Sequence, residues 1–282
     1  IPDSENPWQG CDCYRDLPID AANGPYPVIV FLHGTASFRT QSLTQNLHWA
    51  SRGFVVLSAD HPGLRLKDIL GGGGGIPGGG SQAQDAGRML DDLAAFAGDL
   101  QFLRGRVDLT RIGMSGHSAG GGGIAGLGSR PGVRVLIPMA SRGTRAGQSL
   151  ESSLIMGGQE DGIARYSGTQ GGYTSSPVKK RLVGIARAGH LAFSDLCAIG
   201  RDKGGILKIA KDNGVNVPFF VELLARDGCG ENQLTPEEGW APINFATAAV
   251  FEETLTCSKT ATAQMAGIQS RFPVVAEYRE EL

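Results

Sequence analysis

The chain has 282 residues, of which 41% are hydrophobic, and a formal net charge of −2 at pH 7. This length and apolar content suit one large α/β domain, and we predict a single domain over residues 1–282. The near-neutral charge excludes the basic surface of a nucleic-acid-binding protein. No apolar run reaches the roughly 18 residues that a membrane-spanning helix needs, which excludes such a helix.

Short apolar runs alternate with helical stretches along the chain, which predicts a mainly parallel sheet with helices on both faces. Several runs are continuously apolar, as strands covered on both sides are. The predicted strands are Pro27–Leu32, Gly53–Ser58, Arg111–Ser115, Val133–Pro138, Ser153–Met156 and Arg181–Ile185. The predicted helices are Gln41–Ser51, Gln82–Leu103, one that begins at Ser118, Gly205–Asp212, Phe219–Arg226 and a closing helix over Ile243–Leu255.

Three segments lie outside this alternation. Residues 1–20 form an N-terminal extension, and residues 191–239 form an insertion after the last predicted strand, which we expect to cover the active site. The segment Gly71–Gly80 is almost entirely glycine and forms no stable helix or strand. Two interpretations stay open for it, a surface connection or a mobile rim of the active site. It lacks the Gly-Lys-Ser/Thr ending of a phosphate loop, which argues against nucleotide binding.

The segment Gly116-His117-Ser118-Ala119-Gly120 carries the strongest chemical signal. It follows a predicted strand and opens a Gly-rich helix, which is the context of a nucleophile elbow. A serine hydroxyl is a poor nucleophile unless a base takes its proton and backbone N–H groups hold the oxyanion. We therefore predict that Ser118 is a catalytic nucleophile.

A serine nucleophile in this architecture needs an acid and a histidine that follow it in that order. His190 is the only histidine after Ser118, and it lies in a loop just past a predicted strand. Three carboxylates lie between the two: Glu151 precedes a strand, whereas Glu160 and Asp161 follow one. We predict Asp161 as the acid that orients the imidazole, because its Gly-Gln-Glu-Asp-Gly-Ile-Ala setting resembles a known acid loop, and Glu160 is the reserve.

The oxyanion would be held by the backbone N–H of Ala119 and by a second N–H from the loop after the first strand. Thr35 is the predicted second donor. His33 and Gly34 are interpreted as loop architecture, with the His33 ring bracing the turn by a hydrogen bond. His117, beside the serine, is predicted to line the site and to take no part in acid–base chemistry.

No metal site or cofactor is expected. His61 and Asp60 stand side by side after a strand and could suggest a metal pair, but the sequence offers no third ligand. A structural role is therefore the favoured interpretation of His61.

Five cysteines occur, and none forms a Cys-x-x-Cys pair. We expect one or two disulfides in a secreted or periplasmic enzyme, as opposed to scattered thiols in a cytosolic one. Cys11 and Cys13 are too close in sequence to pair comfortably with each other, so we expect bridges from among Cys197, Cys229, Cys257 and the N-terminal pair. The chain starts without a Met and shows no signal-peptide pattern, as expected of a processed or trimmed form.

The chain resembles the α/β-hydrolase superfamily from about Pro27 to Cys257. The nearest relatives by resemblance are the cutinase-like polyester hydrolases, the platelet-activating-factor acetylhydrolases and the dienelactone-hydrolase group. The resemblance implies a Ser-Asp-His esterase without a metal or organic cofactor. It rests on His33-Gly34-Thr35, Gly116-His117-Ser118-Ala119-Gly120-Gly121, Gly158-Gln159-Glu160-Asp161 and Gly189-His190.

The chain departs from these relatives at three points. Dienelactone hydrolases use a cysteine nucleophile, where this chain has Ser118. Cutinase-like polyester hydrolases carry an aromatic residue after the oxyanion-loop glycine, where this chain has Thr35, and a Trp after the strand that follows the elbow, where this chain has Pro138-Met139-Ala140-Ser141. These departures argue against an aromatic clamp for polyester.

The predicted function is hydrolysis of a small-molecule or polymeric carboxylic ester through an acyl-enzyme, by a protein that we expect to be monomeric. Amide or peptide hydrolysis by the same triad stays open, because leaving-group preference depends on pocket shape. Acyl transfer to an alcohol and a non-catalytic binding role on the same fold stay open as well.

Overall fold

A seven-stranded sheet lies at the centre of the computed structural model, which describes residues 9–71, 81–177 and 179–282. The strand order is β2-β1-β3-β4-β5-β6-β7. Strands β1 to β6 pair in parallel and β7 pairs antiparallel to β6, so the prediction of a mainly parallel sheet is confirmed. The strands are Tyr26–Leu32 (β1), Val55–Ser58 (β2), Val107–His117 (β3), Val133–Met139 (β4), Ser152–Gly158 (β5), Lys180–Ile185 (β6) and Val275–Glu281 (β7).

Helices connect the strands and follow the last parallel one. The α-helices are Leu43–Ser51 (α1), Leu66–Leu70 (α2), Gln82–Ala95 (α3), Ala119–Ile124 (α4), Tyr166–Ser175 (α5), Ile206–Asp212 (α6), Phe219–Arg226 (α7), Pro236–Thr256 (α8), Lys259–Ala266 (α9) and Ile268–Arg271 (α10). Short 3-10 helices span Gly98–Leu103, Leu127–Ser129, His190–Phe193 and Arg201–Lys203.

Alternate residues of β1 point into two separate cores, one on each face of the sheet. Ile29 and Phe31 pack with α1 and α8, where Trp49 and Phe251 meet edge to face at 5.3 Å between ring centroids. Val28, Val30 and Leu32 pack on the other face with α3 and α4. Because both faces are covered, a strand in the middle of the sheet must be apolar at nearly every position, as β1 is.

Two helices differ from the predicted ones in where they begin or end. The helix predicted over Gln82–Leu103 ends at Ala95, because Phe96 adopts a left-handed φ of 50° and only a 3-10 turn follows. The helix predicted over Ile243–Leu255 begins earlier, at Pro236, where Thr235 and Glu238 form a capping box. This helix does not close the chain, since α9, α10 and the edge strand β7 follow it.

The predicted helices of the insertion are both present, as α6 and α7. They pack with α2 in a small apolar cluster that is separate from the two main cores and includes Ala36, Ile69, Ala210, Val217 and Val221. The insertion therefore lies on the loop that follows β1. Of the glycine-rich segment, residues 72–80 lie outside the described residues.

The structure contains the disulfides Cys11–Cys13 and Cys197–Cys229, while Cys257 is free and exposed. The expectation that Cys11 and Cys13 would not pair with each other is wrong, because the backbone places their Cα atoms 5.3 Å apart, within the normal range for a disulfide. Along the described ranges, no helix combines the length and the apolar character needed to span a membrane.

Candidate active site

Ser118 lies on a sharp turn between β3 and α4. Its φ of 56° and ψ of −118° belong to a region that residues with a Cβ rarely enter. The turn is tight: a Cβ on Gly116 would lie 2.4 Å from the Gly120 carbonyl carbon, and a Cβ on Gly120 would lie 2.2 Å from the Leu32 carbonyl oxygen. Only glycine fits at either position, and the serine side chain is thereby held at the carboxyl edge of the sheet.

Ser118, His190 and Asp161 form one hydrogen-bonded chain. The Ser118 Oγ lies 2.8 Å from His190 Nε2, and His190 Nδ1 lies 2.9 Å from Asp161 Oδ2. Because a carboxylate can only accept, the proton of the neutral imidazole sits on Nδ1. The lone pair of Nε2 therefore faces the serine hydroxyl, in the orientation that a general base requires.

Asp161 is buried, and its second oxygen is also engaged. Its Oδ1 accepts hydrogen bonds from the backbone N–H groups of Ile163, at 2.9 Å, and Ala164, at 2.6 Å. These bonds fix the carboxylate so that Oδ2 faces the imidazole. Glu160, the reserve candidate, is exposed, and Glu151 forms a salt bridge with Arg134. Neither of these two glutamates contacts His190.

Buried side chains hold the loop that carries the second predicted oxyanion donor. The Gly34 N–H donates to Gln41 Oε1 at 2.8 Å, and Gln82 Nε2 donates to the His33 carbonyl at 2.7 Å. The loop passes close to the serine, since a Cβ on Gly34 would lie 3.3 Å from the Ser118 Cβ. Sequence reasoning missed both glutamines, because nothing in their local sequence marks them.

His33 braces this loop, as predicted, and does so in one tautomer. Its Nε2 accepts from the His61 N–H at 3.0 Å, so its Nδ1 donates to the Gly34 carbonyl at 2.7 Å. Burial lowers the pKa of His33 to about 4. The ring is therefore neutral at neutral pH and serves as architecture.

His117 contacts the loop that carries His190. Its Nε2 lies 2.9 Å from the His190 carbonyl oxygen and donates to it, and the two rings lie 4.8 Å apart. Burial, with a smaller contribution from His190, lowers the pKa of His117 to about 3. His117 is thus a neutral ring that holds the His190 backbone, and its role in lining the site stays a prediction.

The two predicted oxyanion donors are Ala119, which follows Ser118 in the chain, and Thr35, which follows Gly34 in the loop close to the serine. Ala119 is the first residue of α4, where backbone N–H groups lack intrahelical partners. Thr35 is half-buried and lines a cavity beside the site. These two N–H groups are therefore on the elements that the prediction requires, and their role in binding an oxyanion stays a prediction.

Asp227, which sequence reasoning missed, ties the acid loop to the histidine loop. Its Oδ1 accepts from the His190 N–H and its Oδ2 accepts from the Gly162 N–H, both at 2.8 Å. Its own carbonyl accepts from the Leu191 N–H at 2.8 Å. Asp227 belongs to the insertion and lies two residues before Cys229, so the Cys197–Cys229 disulfide anchors it nearby. No pattern in the sequence links it to residues so far away.

In the described part of the chain, no three His, Cys, Asp or Glu side chains are grouped in a way that could hold a metal ion. His61, considered above with Asp60, instead lies 3.3 Å from Asp85 and donates its backbone N–H to His33. Its position therefore matches the structural interpretation.

Comparison with known proteins finds similarity to proteins named as hydrolases. A family model described as PETase, PET hydrolase-like, matches residues 10–196, more than half of the chain. The bis(hydroxyethyl) terephthalate hydrolase of Streptomyces coelicolor is 28% identical over 123 residues, which is 43% of this chain and 35% of that protein. The match thus spans about a third of the relative's length. The resemblance to the α/β-hydrolase superfamily, including its polyester-hydrolase branch, is confirmed.

Proposed function

Since the chain belongs to the PET hydrolase-like family, we propose that it is a serine carboxylesterase that works through an acyl-enzyme intermediate. The observation that carries the proposal is the hydrogen-bonded chain from Ser118 through His190 to Asp161, with 2.8 Å and 2.9 Å between the bonded atoms. A nucleophile, a base and an orienting acid in this geometry are the parts that acyl transfer needs.

In the acylation step, Ser118 Oγ attacks the ester carbonyl carbon while His190 Nε2 takes its proton. Asp161 holds the imidazole in the required tautomer and stabilises the imidazolium that forms. The backbone N–H groups of Ala119 and Thr35 hold the oxyanion. His190 then gives its proton to the leaving alcohol oxygen as the C–O bond breaks, which leaves the acyl group on Ser118.

Deacylation repeats the sequence with water as the nucleophile. His190 takes a proton from water, the hydroxide adds to the acyl carbon, and the Ser118 oxygen leaves with the proton from His190. One oxyanion donor is typically worth about 3 kcal/mol of barrier, and general base catalysis contributes a further 10²- to 10⁴-fold, roughly.

The bond that we propose as the target is the carboxylic ester itself. The Streptomyces coelicolor relative is named for an ester of terephthalate, and the family is described by a polyester of the same acid. From these relatives we infer only the class of bond that is cleaved, a carboxylic ester, and not the identity of the acid. No partner other than the ester is needed, and we propose a monomeric enzyme without a nucleic-acid ligand.

We propose a secreted or periplasmic location for the protein. The two disulfides support it, because such bonds persist in oxidising compartments and are rare in the cytosol.

The test of the function is the initial rate of hydrolysis of p-nitrophenyl acetate by the wild type and by Ser118→Ala. We expect turnover by the wild type and a loss of at least about 10³-fold in the variant, with an unchanged circular dichroism spectrum. Equal rates in the two proteins would overturn the proposal.

A further inference from the structure

A cavity of about 520 Å³ opens beside the candidate active site. It begins at Thr35, the predicted oxyanion donor, and at Leu191, the residue after His190. From there it extends under the insertion, between α2 on one side and α6 and α7 on the other. Its volume lies within the range of small-molecule pockets in proteins. The cavity is therefore placed to receive a group attached to the reacting carbonyl.

Most of the side chains that line this cavity are aliphatic. They include Leu66 of α2, Leu207 of α6, and Val221 and Leu224 of α7. Within the described residues, no aromatic side chain lines it. An aromatic guest would find no ring to stack on, whereas a flexible hydrocarbon chain gains from any apolar wall in proportion to the area it buries.

Packing and a disulfide hold the walls of the cavity in place, and its boundary is exposed to solvent. Val221 is buried in the small apolar cluster that joins the insertion to α2, and the Cys197–Cys229 disulfide lines the cavity. The charged residues that line it, Arg201 and Glu231, are exposed to solvent. Most side chains that line the cavity are therefore apolar, and its two charged residues lie where solvent reaches them.

We propose that this cavity binds the saturated acyl chain of an aliphatic ester, and that the enzyme prefers such acyl groups to aromatic ones. This inference rests on the proposed ester hydrolysis and names its substrate class. The chain enters past Thr35, because the loop that holds the carbonyl oxygen also forms the mouth of the cavity. The specificity is set by the insertion, of which residues 197–239 lie beyond the residues matched by the family model.

The test compares kcat/KM for p-nitrophenyl acetate, octanoate and benzoate in the wild type and in Ala225→Trp. Ala225 lines the cavity from α7, so a Trp there fills it. Each buried methylene favours binding roughly fourfold, so six additional methylenes need only partial burial for a large effect. We expect the wild type to prefer octanoate to both acetate and benzoate by at least about tenfold, and Ala225→Trp to lower the octanoate value by about tenfold with acetate changed less than twofold.

The matched control is Phe220→Trp, on the same helix but 43% exposed and outside the cavity, which should leave all three values unchanged. If Ala225→Trp fails to fold, Leu224→Ala, which widens the cavity, should shift the preference from octanoate towards laurate. Ser118-dependent turnover with equal preference for benzoate, or with an octanoate rate that neither cavity variant changes, would overturn the cavity assignment alone. No Ser118-dependent turnover of any ester would overturn the proposed function, and this inference with it.

Discussion

Asp227 Oδ1 accepts a hydrogen bond of 2.8 Å from the backbone N–H of His190, and its other oxygen accepts one from Gly162, the residue after Asp161. One carboxylate from the insertion thereby connects the two loops that carry the predicted base and acid. The distance between His190 Nδ1 and Asp161 Oδ2 depends on both loops, so we expect Asp227 to act as a positioning residue for that pair.

The first prediction concerns this connection. Asp227→Ala removes both hydrogen bonds and should lower kcat about 100-fold, with KM changed less than about threefold, because misplacement of a base by 1 Å costs rates of this order. Asp227→Asn keeps one acceptor oxygen and should lose only about tenfold. The measurement is steady-state kinetics on p-nitrophenyl butyrate, with the rate of fluorophosphonate labelling of Ser118 falling in parallel.

Asp212→Ala is the matched control for Asp227. Asp212 is exposed on α6 of the same insertion, where it pairs with Lys208, and its removal should leave kcat unchanged. A full kcat in Asp227→Ala together with a lowered melting temperature would assign Asp227 to stability alone.

The second prediction concerns the Cys197–Cys229 disulfide, which closes a loop with a sequence separation of 32 residues. Its loss in Cys197→Ser/Cys229→Ser should lower the free energy of unfolding by about 3–4 kcal/mol, from the loop-closure entropy regained by the unfolded chain. Urea denaturation measures this value. Cys257→Ser changes a free, exposed cysteine and should behave as the wild type; equal midpoints for all three proteins would contradict the prediction.

The third prediction uses two glycines of α4. Gly120→Ala places a Cβ 2.2 Å from the Leu32 carbonyl oxygen and should destabilise the protein by more than about 2 kcal/mol, with loss of activity. Gly122→Ala meets no atom within 4 Å and should stabilise the helix by up to about 1 kcal/mol. Urea midpoints of the two variants should therefore move in opposite directions, and movement in the same direction would show that the turn is looser than described.

The fourth prediction concerns pH and His117. Its pKa is about 3 in the folded protein and near 6.5 when unfolded, so between these values the unfolded chain binds a proton that the folded protein does not. The free energy of unfolding should therefore fall as the pH drops from about 6.5, with His117 contributing up to about 1.4 kcal/mol per pH unit. Urea midpoints from pH 7 to pH 4.5 should fall less steeply in His117→Gln than in the wild type, and identical slopes would contradict this account.

The parallel strands could be predicted from the sequence because burial on both faces of the sheet demands continuous apolar runs. β1 is Tyr-Pro-Val-Ile-Val-Phe-Leu and was predicted to within one residue. β7 could not be predicted in this way, because an edge strand tolerates charge and its sequence ends in Arg-Glu-Glu. α5 was missed for another reason, since three glycines between Gly168 and Gly172 hide its helical periodicity.

The sequence could predict those residues of the candidate site that lie in a recognisable local pattern. Ser118, Asp161 and His190 each follow a strand in a glycine-containing loop, and the structure brings their side chains into one hydrogen-bonded chain. Asp227 had no such signature, because its contacts depend on how the insertion folds back. The aliphatic cavity depends on the same packing, so it could not be predicted from the sequence either.

The proposed mechanism depends on Ser118 as a nucleophile that His190 and Asp161 activate. The most direct measurement is labelling of the native protein with diisopropyl fluorophosphate, followed by mass spectrometry of its peptides. We expect a single phosphorylated residue, Ser118, with complete loss of ester turnover in proportion to labelling, and labelling slowed at least about 10²-fold in His190→Ala. Labelling at another residue, or full esterase activity in protein whose Ser118 is fully modified, would contradict it.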